Sequence, residues 1–125
     1  MLFDTAAWIE FFQGTDTGRI VEEKIIAGEN FTSIVTFAEI VNWCFRTGIE
    51  DKSEYYLGIV KKGSQILHLN ELISINAGKL NYERKKGGRK WGMIDSIIVA
   101  TAQTYGLKIL TKDNAFRDLP DAQVL

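Results

Sequence analysis

Short apolar runs alternate with helix-length segments along the whole chain, and that alternation limits the fold more than any other feature. Residues 2–5, 31–35, 65–69, 108–111 and 122–125 read as strands, being apolar or β-branched. Between them, helical spacing or capping marks 6–12, a segment from Asp16 or Thr17 to Ala27, 36–46, 52–61, 70–86 and 91–105. Gly14, Gly28, Gly48, the run "KKGGRK" and Gly106 punctuate them. Strands that alternate with helices predict an α/β fold with a central, mostly parallel sheet of four to five strands. Strands this apolar are covered on both faces, which makes three layers. The length of 125 residues fits one domain, 1–125, with a single sizeable core.

Composition removes several functional classes. A net charge of -1 excludes a polybasic nucleic-acid binder, so any such surface must come from local clustering. One cysteine, Cys44, excludes an internal disulfide and a multi-cysteine metal site, and it fits a reducing compartment. No apolar run reaches the roughly 18 residues of a membrane span. The first residues carry no basic region followed by an apolar stretch, so the expected location is the cytoplasm.

Against this apolar background, four acids stand out. In "WGMIDSIIVATAQTYGL", residues 91–107, Asp95 is the only charged residue. Asp4 sits in the apolar opening strand, where a carboxylate is costly unless paired. Glu39 falls in the first turn of the helix after the second predicted strand, and Asp113 lies two residues past the fourth. In open α/β sheets, ligands bind beyond the carboxyl ends of the strands. The helix carrying Asp95 runs antiparallel to the strand it feeds, so its N-terminus reaches that same edge. Four acids from four segments are therefore expected to converge.

Each acid also has a plainer explanation. Glu39 completes Thr36-x-x-Glu39, the pattern of a capping box. Asp95 can be a first-turn acid favoured by the helix dipole, and Asp113 a turn residue beside Asn114. No plain explanation covers all four at one edge. Clustered carboxylates repel and raise one another's pKa values, and a divalent cation relieves this. Ligands that are all oxygen select Mg²⁺ or Mn²⁺ over Zn²⁺. Such ions activate water and stabilise phosphate oxygens, so the expected chemistry is metal-dependent phosphodiester hydrolysis.

The stretches "FDTAAWIEFF", "TSIVTFAEIV" and "GMIDSIIVATAQTYGLKILTKDNAF" together resemble the PIN-domain ribonucleases over nearly the whole chain. The last stretch is the most specific, with an acid, an apolar-small helix, a strand and T-x-D-x-x-F in the family order. The compact single-domain form is similar to the VapC-type toxins of toxin–antitoxin pairs. The resemblance implies a sheet with the first strand central. It implies that Asp4, Glu39, Asp95 and Asp113 form the catalytic metal site for Mg²⁺ or Mn²⁺, with Thr5 and Thr111 as supporting hydroxyls. It further implies an RNA substrate, often tRNA or rRNA, a small antitoxin partner that covers the site, and a homodimer. Two positions depart from the family pattern. Ala6 stands where a small hydroxyl residue is common, and Asn114 rather than another acid follows Asp113.

Arg84, Lys85, Lys86, Arg89 and Lys90 cluster just before the Asp95 helix and are expected to contact RNA phosphates. Their plainer role is a solvated helix end. Trp8, Phe11 and Phe12 are expected in the core, as are Trp43, Cys44 and Phe45. His68, the only histidine, is far from the acidic segments in sequence, which leaves nucleophile generation to a metal. Two Asp-based rivals fail on spacing. A dehalogenase-like phosphatase needs a second acid at Ala6, and a receiver domain needs an Asp in "LHLN". Within the same fold, the alternatives are a housekeeping RNA-processing nuclease and an inactive RNA-binding module.

Overall fold

In the computed structural model, which describes residues 1–125, a sheet of five parallel strands runs in the order β3-β2-β1-β4-β5. The strands are Leu2–Phe3 (β1), Phe31–Ser33 (β2), Gln65–Leu67 (β3), Ile109–Thr111 (β4) and Ala122–Val124 (β5). The helices are Thr5–Gln13 (α1), Asp16–Ala27 (α2), Val35–Arg46 (α3), Ser53–Gly63 (α4), Glu71–Lys85 (α5) and Met93–Tyr105 (α6). Single 3₁₀ turns occupy Glu50–Lys52 and Asn114–Phe116. β1 pairs on one side with β2 (Leu2↔Phe31) and on the other with β4 (Leu2↔Ile109). The chain thus reverses its direction of winding at β1, and the crevice beyond the ends of β1 and β4 is where this architecture accepts ligands.

Strand alternation divides the core in two. Phe3 and Leu110 face one layer with Trp8, Val21, Ile40, Trp43 and Val60. Leu2 and Ile109 face the other with Leu67, Trp91, Ile98, Val99 and Phe116. This is the predicted three-layer arrangement, and the sheet is wholly parallel. No helix is long and apolar enough to cross a membrane.

Local chemistry moves several boundaries. Thr15, rather than Asp16 or Thr17, caps α2, its hydroxyl accepting from Gly18 N at 3.0 Å. Asn70 caps α5 as predicted, accepting from Ile73 N at 2.9 Å. α3 begins at Val35, so Thr36 lies inside the helix and no side chain caps it. The expected capping box does not form, and Glu39 stands in the second turn rather than the first. β3 ends at Leu67, which leaves His68 exposed after the strand. Trp8 is fully buried and Phe12 stacks on Tyr56 at 4.2 Å between ring centres. Trp43 and Cys44 are buried, but Phe45 is 63% exposed, a correction to its core assignment. α3 is amphipathic, and Phe45 falls on its outer face.

α1 and α2 approach closely at Gly18, where an added Cβ would sit 2.3 Å from the Glu10 carbonyl oxygen. Backbone cannot yield cheaply to such a clash. Gly18→Ala is therefore expected to lower stability by about 2 kcal/mol, outweighing the roughly 1 kcal/mol that alanine gains in a helix. Gly78, in α5 with open space around it, serves as the internal control. Gly78→Ala should raise the thermal midpoint while Gly18→Ala lowers it, and midpoints moving together would contradict the close packing.

Candidate active site

Asp4, Glu39, Asp95 and Asp113 line one cavity of about 220 Å³ at the carboxyl ends of β1 and β4. Each arrives by a different local device. Asp4 follows β1 and caps α1, its Oδ1 accepting from Ala7 N at 2.9 Å. Its Oδ2 accepts a short hydrogen bond from Thr111 Oγ1 on β4. The same Thr111 hydroxyl accepts from Asp113 N at 2.9 Å, so one side chain ties two site acids together. Asp113 then caps the 3₁₀ turn, its Oδ1 accepting from Ala115 N at 2.9 Å. Asp95 lies in the first turn of α6, where the helix dipole favours an acid. Glu39 is held by Thr5, whose Oγ1 donates to Glu39 Oε1 at 2.5 Å and lies 3.2 Å from Thr36 Oγ1.

The electrostatics are strained. Asp4 is 4% exposed, and burial is the main cause that pushes its carboxyl up to about 7. The bonds from Thr111 and Ala7 oppose the rise, while the charges of Asp113 and Asp95 add to it. Asp95 is pushed up to about 6, again first by burial, then by Asp113 and Glu39. Carboxylates held above their ordinary range in a crevice are a mark of a functional site rather than of a structural ion pair.

The donor set suits a hard divalent cation, being wholly oxygen and rich in charge. No three of the acids close on one point as a ready-made ligand set. Like charges repel, and protein donors engage both oxygens of Asp4 and one oxygen each of Glu39 and Asp113. The second oxygens of Glu39 and Asp113 accept no hydrogen bond from the protein and stay free for a cation. The plain readings of Asp95 and Asp113 as first-turn and turn residues are correct as far as they go, and Asp4 adds a helix cap that the sequence reading did not offer. These roles use at most one carboxylate oxygen of Asp4 and of Asp113 for the local turn.

The basic segment divides in two. Arg84 is spent on the fold, its side chain 8% exposed and its guanidinium stacked 3.9 Å over the Trp91 ring. It donates to both Asp118 oxygens at 3.0 Å and to the Ala115 carbonyl at 2.9 Å. These bonds hold Asp118 below the usual carboxylate range. Arg84 therefore braces the loop that follows Asp113, which corrects its expected place among free cations. Trp91 extends the brace, packing on Phe116 at 4.9 Å and donating to Ser96 Oγ at 2.7 Å. Arg89 also pairs with Asp118, at 2.9 Å, and Lys86 lies 3.9 Å from Glu83. Lys85 and Lys90 are exposed. Lys90 lines a groove of about 560 Å³ that continues past Trp91 and Gly92 to Asp95 and Asp113.

Two of the other residues lining the acid cavity, Asn42 and Arg46, are polar side chains that the sequence reading did not single out. Their spacing from Glu39, three and seven residues on, is a helical signal legible in the sequence once Glu39 is singled out.

The PIN domain family model matches residues 1–122. Ribonuclease VapC11 of Mycobacterium tuberculosis is 25% identical over 118 residues, covering 93% of this chain and 88% of the relative. Among solved structures, a toxin–antitoxin complex from Klebsiella pneumoniae superposes with a TM-score of 0.72 at 25% identity, over 98% of this chain and 95% of that one. VapBC2 from Rickettsia felis, bound to a DNA fragment from its promoter, gives a TM-score of 0.77 at 16% identity, over 99% and 96%, and speaks for the fold alone. Matched from residue 1 to residue 122, with its acids gathered where this fold places a ligand, the chain belongs to the PIN domain family.

Proposed function

We propose that this chain is a Mg²⁺- or Mn²⁺-dependent endoribonuclease and the toxin of a toxin–antitoxin pair, working in the cytoplasm. The observation that carries the reading is the convergence of Asp4, Glu39, Asp95 and Asp113 on one cavity. The relatives support it, since VapC11 is a ribonuclease by name and the Klebsiella structure is a toxin–antitoxin complex.

The four acids would hold the metal. When bound, it supplies a nucleophile from water and offsets charge on the phosphate. The rest falls to the protein. Thr111 fixes the relative position of Asp4 and Asp113, and Thr5 sets the rotamer of Glu39. Asp95 is carried by α6, whose buried face against the sheet keeps its N-terminus at the strand-end edge. Lys90 lines the groove that leads to the acids and, with the exposed Lys85, Lys86 and Arg89 of the preceding segment, would attract the RNA backbone. Leu72 and Ile75 stand three apart on α5 and are 56% and 49% exposed. Such a strip is what a second copy or an antitoxin covers, and both partners belong to this reading.

The test is cleavage of tRNA and rRNA with Mn²⁺, with EDTA, and by Asp95→Asn. Cleavage should need the metal and fall on the order of 10²-fold or more in Asp95→Asn, with circular dichroism unchanged. Full activity in folded Asp95→Asn would refute the assigned site, and cleavage indifferent to EDTA would refute the metal.

A further inference from the structure

The wall that α3 gives to the acid cavity carries more than Glu39. Arg46 is the one cation among the residues lining that cavity, and Asn42 lies between it and Glu39 on the same helix face. The ion pairs of the protein join Arg84, Lys86, Arg89 and Lys112 to acids, and Arg46 takes part in none. A guanidinium that stays unpaired beside four carboxylates is not there to neutralise them. Its five donors remain for a ligand. Its position in the last turn of α3 suits any cation, but the helix dipole is served as well by lysine and leaves the fork of donors idle.

Distance selects the ligand. Arg46 lies seven residues beyond Glu39, about 10 Å along the helix axis. A cation so placed serves a unit of the polymer next to the one being cut. The ligand that a planar fork recognises best, and that a nucleic-acid strand repeats at every unit, is a phosphate diester. Resting on the ribonuclease reading of the cavity, we infer that Arg46 grips a backbone phosphate of the RNA flanking the scissile one and so fixes the register of the strand across the acids.

The probe is a short single-stranded RNA of mixed sequence, its binding followed by fluorescence anisotropy over a range of salt. The Asp95→Asn protein with Mg²⁺ is the background, so that binding is read without cleavage. Arg46→Gln should weaken binding about tenfold and make the plot of log K against log salt shallower by about 0.7, the signature of one lost phosphate contact on a single strand. Arg46→Lys should keep the slope and recover only part of the affinity, because a point charge replaces a fork. Arg46→Ala, which also deletes the stem, should repeat the slope change. A structural role for Arg46 would shift thermal midpoints and leave the salt slope alone. Unchanged slopes in both Gln and Ala variants overturn the inference while leaving wild-type cleavage, and so the nuclease reading, intact. A background protein that binds no RNA at any salt overturns both.

Discussion

Stripped of divalent cations, the protein is expected to be more stable near pH 5 than near pH 8. Asp4 has a folded-state pKa of about 7 against an ordinary 3.8. Between those values the folded protein holds a proton that the unfolded chain has already released. Stability therefore falls as pH rises through the window, and the full cost is present above about 7. For the fully buried Asp4 the gap sets a ceiling on the order of 4 kcal/mol. Asp95 acts with the same sign between 3.8 and about 6, its effect reduced by water on its exposed side. The Met1 amine, lowered from 8.0 by burial, acts oppositely, but only near its own range. Saturating Mg²⁺ should abolish the trend, since a bound cation favours the ionised acids. The measurement is the thermal midpoint at both pH values, with EDTA and then with Mg²⁺. Asp4→Asn should lose most of the dependence and keep its cap, because asparagine also accepts from Ala7 N. A flat profile in EDTA, or an Asp4→Asn profile matching wild type, would count against the strained site.

The second large effect is expected at Arg84. Arg84→Ala removes the stack on Trp91, the fork on Asp118 and the bond to the Ala115 carbonyl together. The expected loss is about 2–3 kcal/mol, or a midpoint lower by on the order of 10 °C. Arg84→Lys should recover little, since an ammonium can neither stack as a plane nor reach both Asp118 oxygens. Lys85→Ala, one residue on and exposed, should stay within about 0.5 kcal/mol of wild type. Cleavage should fall in Arg84→Ala because the loop after Asp113 loses its brace. Weaker RNA binding at an unchanged midpoint would instead return Arg84 to the RNA surface.

These two residues also mark how far the sequence could be read. The alternation of apolar runs and helices predicts the layers, because both depend on local periodicity. The order of Asp95, an apolar helix, a strand and Asp113 places two of the acids, because a helix and the strand it feeds run antiparallel through a short turn at Gly106. The capping box at Thr36 was misread because α3 starts at Val35 without a side-chain cap, and only tertiary packing decides between adjacent starting residues. Thr15 was overlooked as a cap beside two equally suitable neighbours. Arg84 reads as one more basic residue until Asp118, 34 residues later, is brought against it. No local pattern encodes that meeting. Asn42 and Arg46 were within reach, since they repeat from Glu39 at helical spacing.

The central position of β1 has a consequence for how the protein is made. Its partner β4 begins at Ile109, so Thr111, which binds Asp4 across 107 positions of chain, is made only after all six helices. A nascent chain that has not yet exposed this segment lacks the hydroxyl that binds Asp4 and one of the four acids outright. A product truncated before this segment can never acquire the cavity. The order of strands withholds the site from the growing chain until the segment that pairs with β1 from the far side has been made.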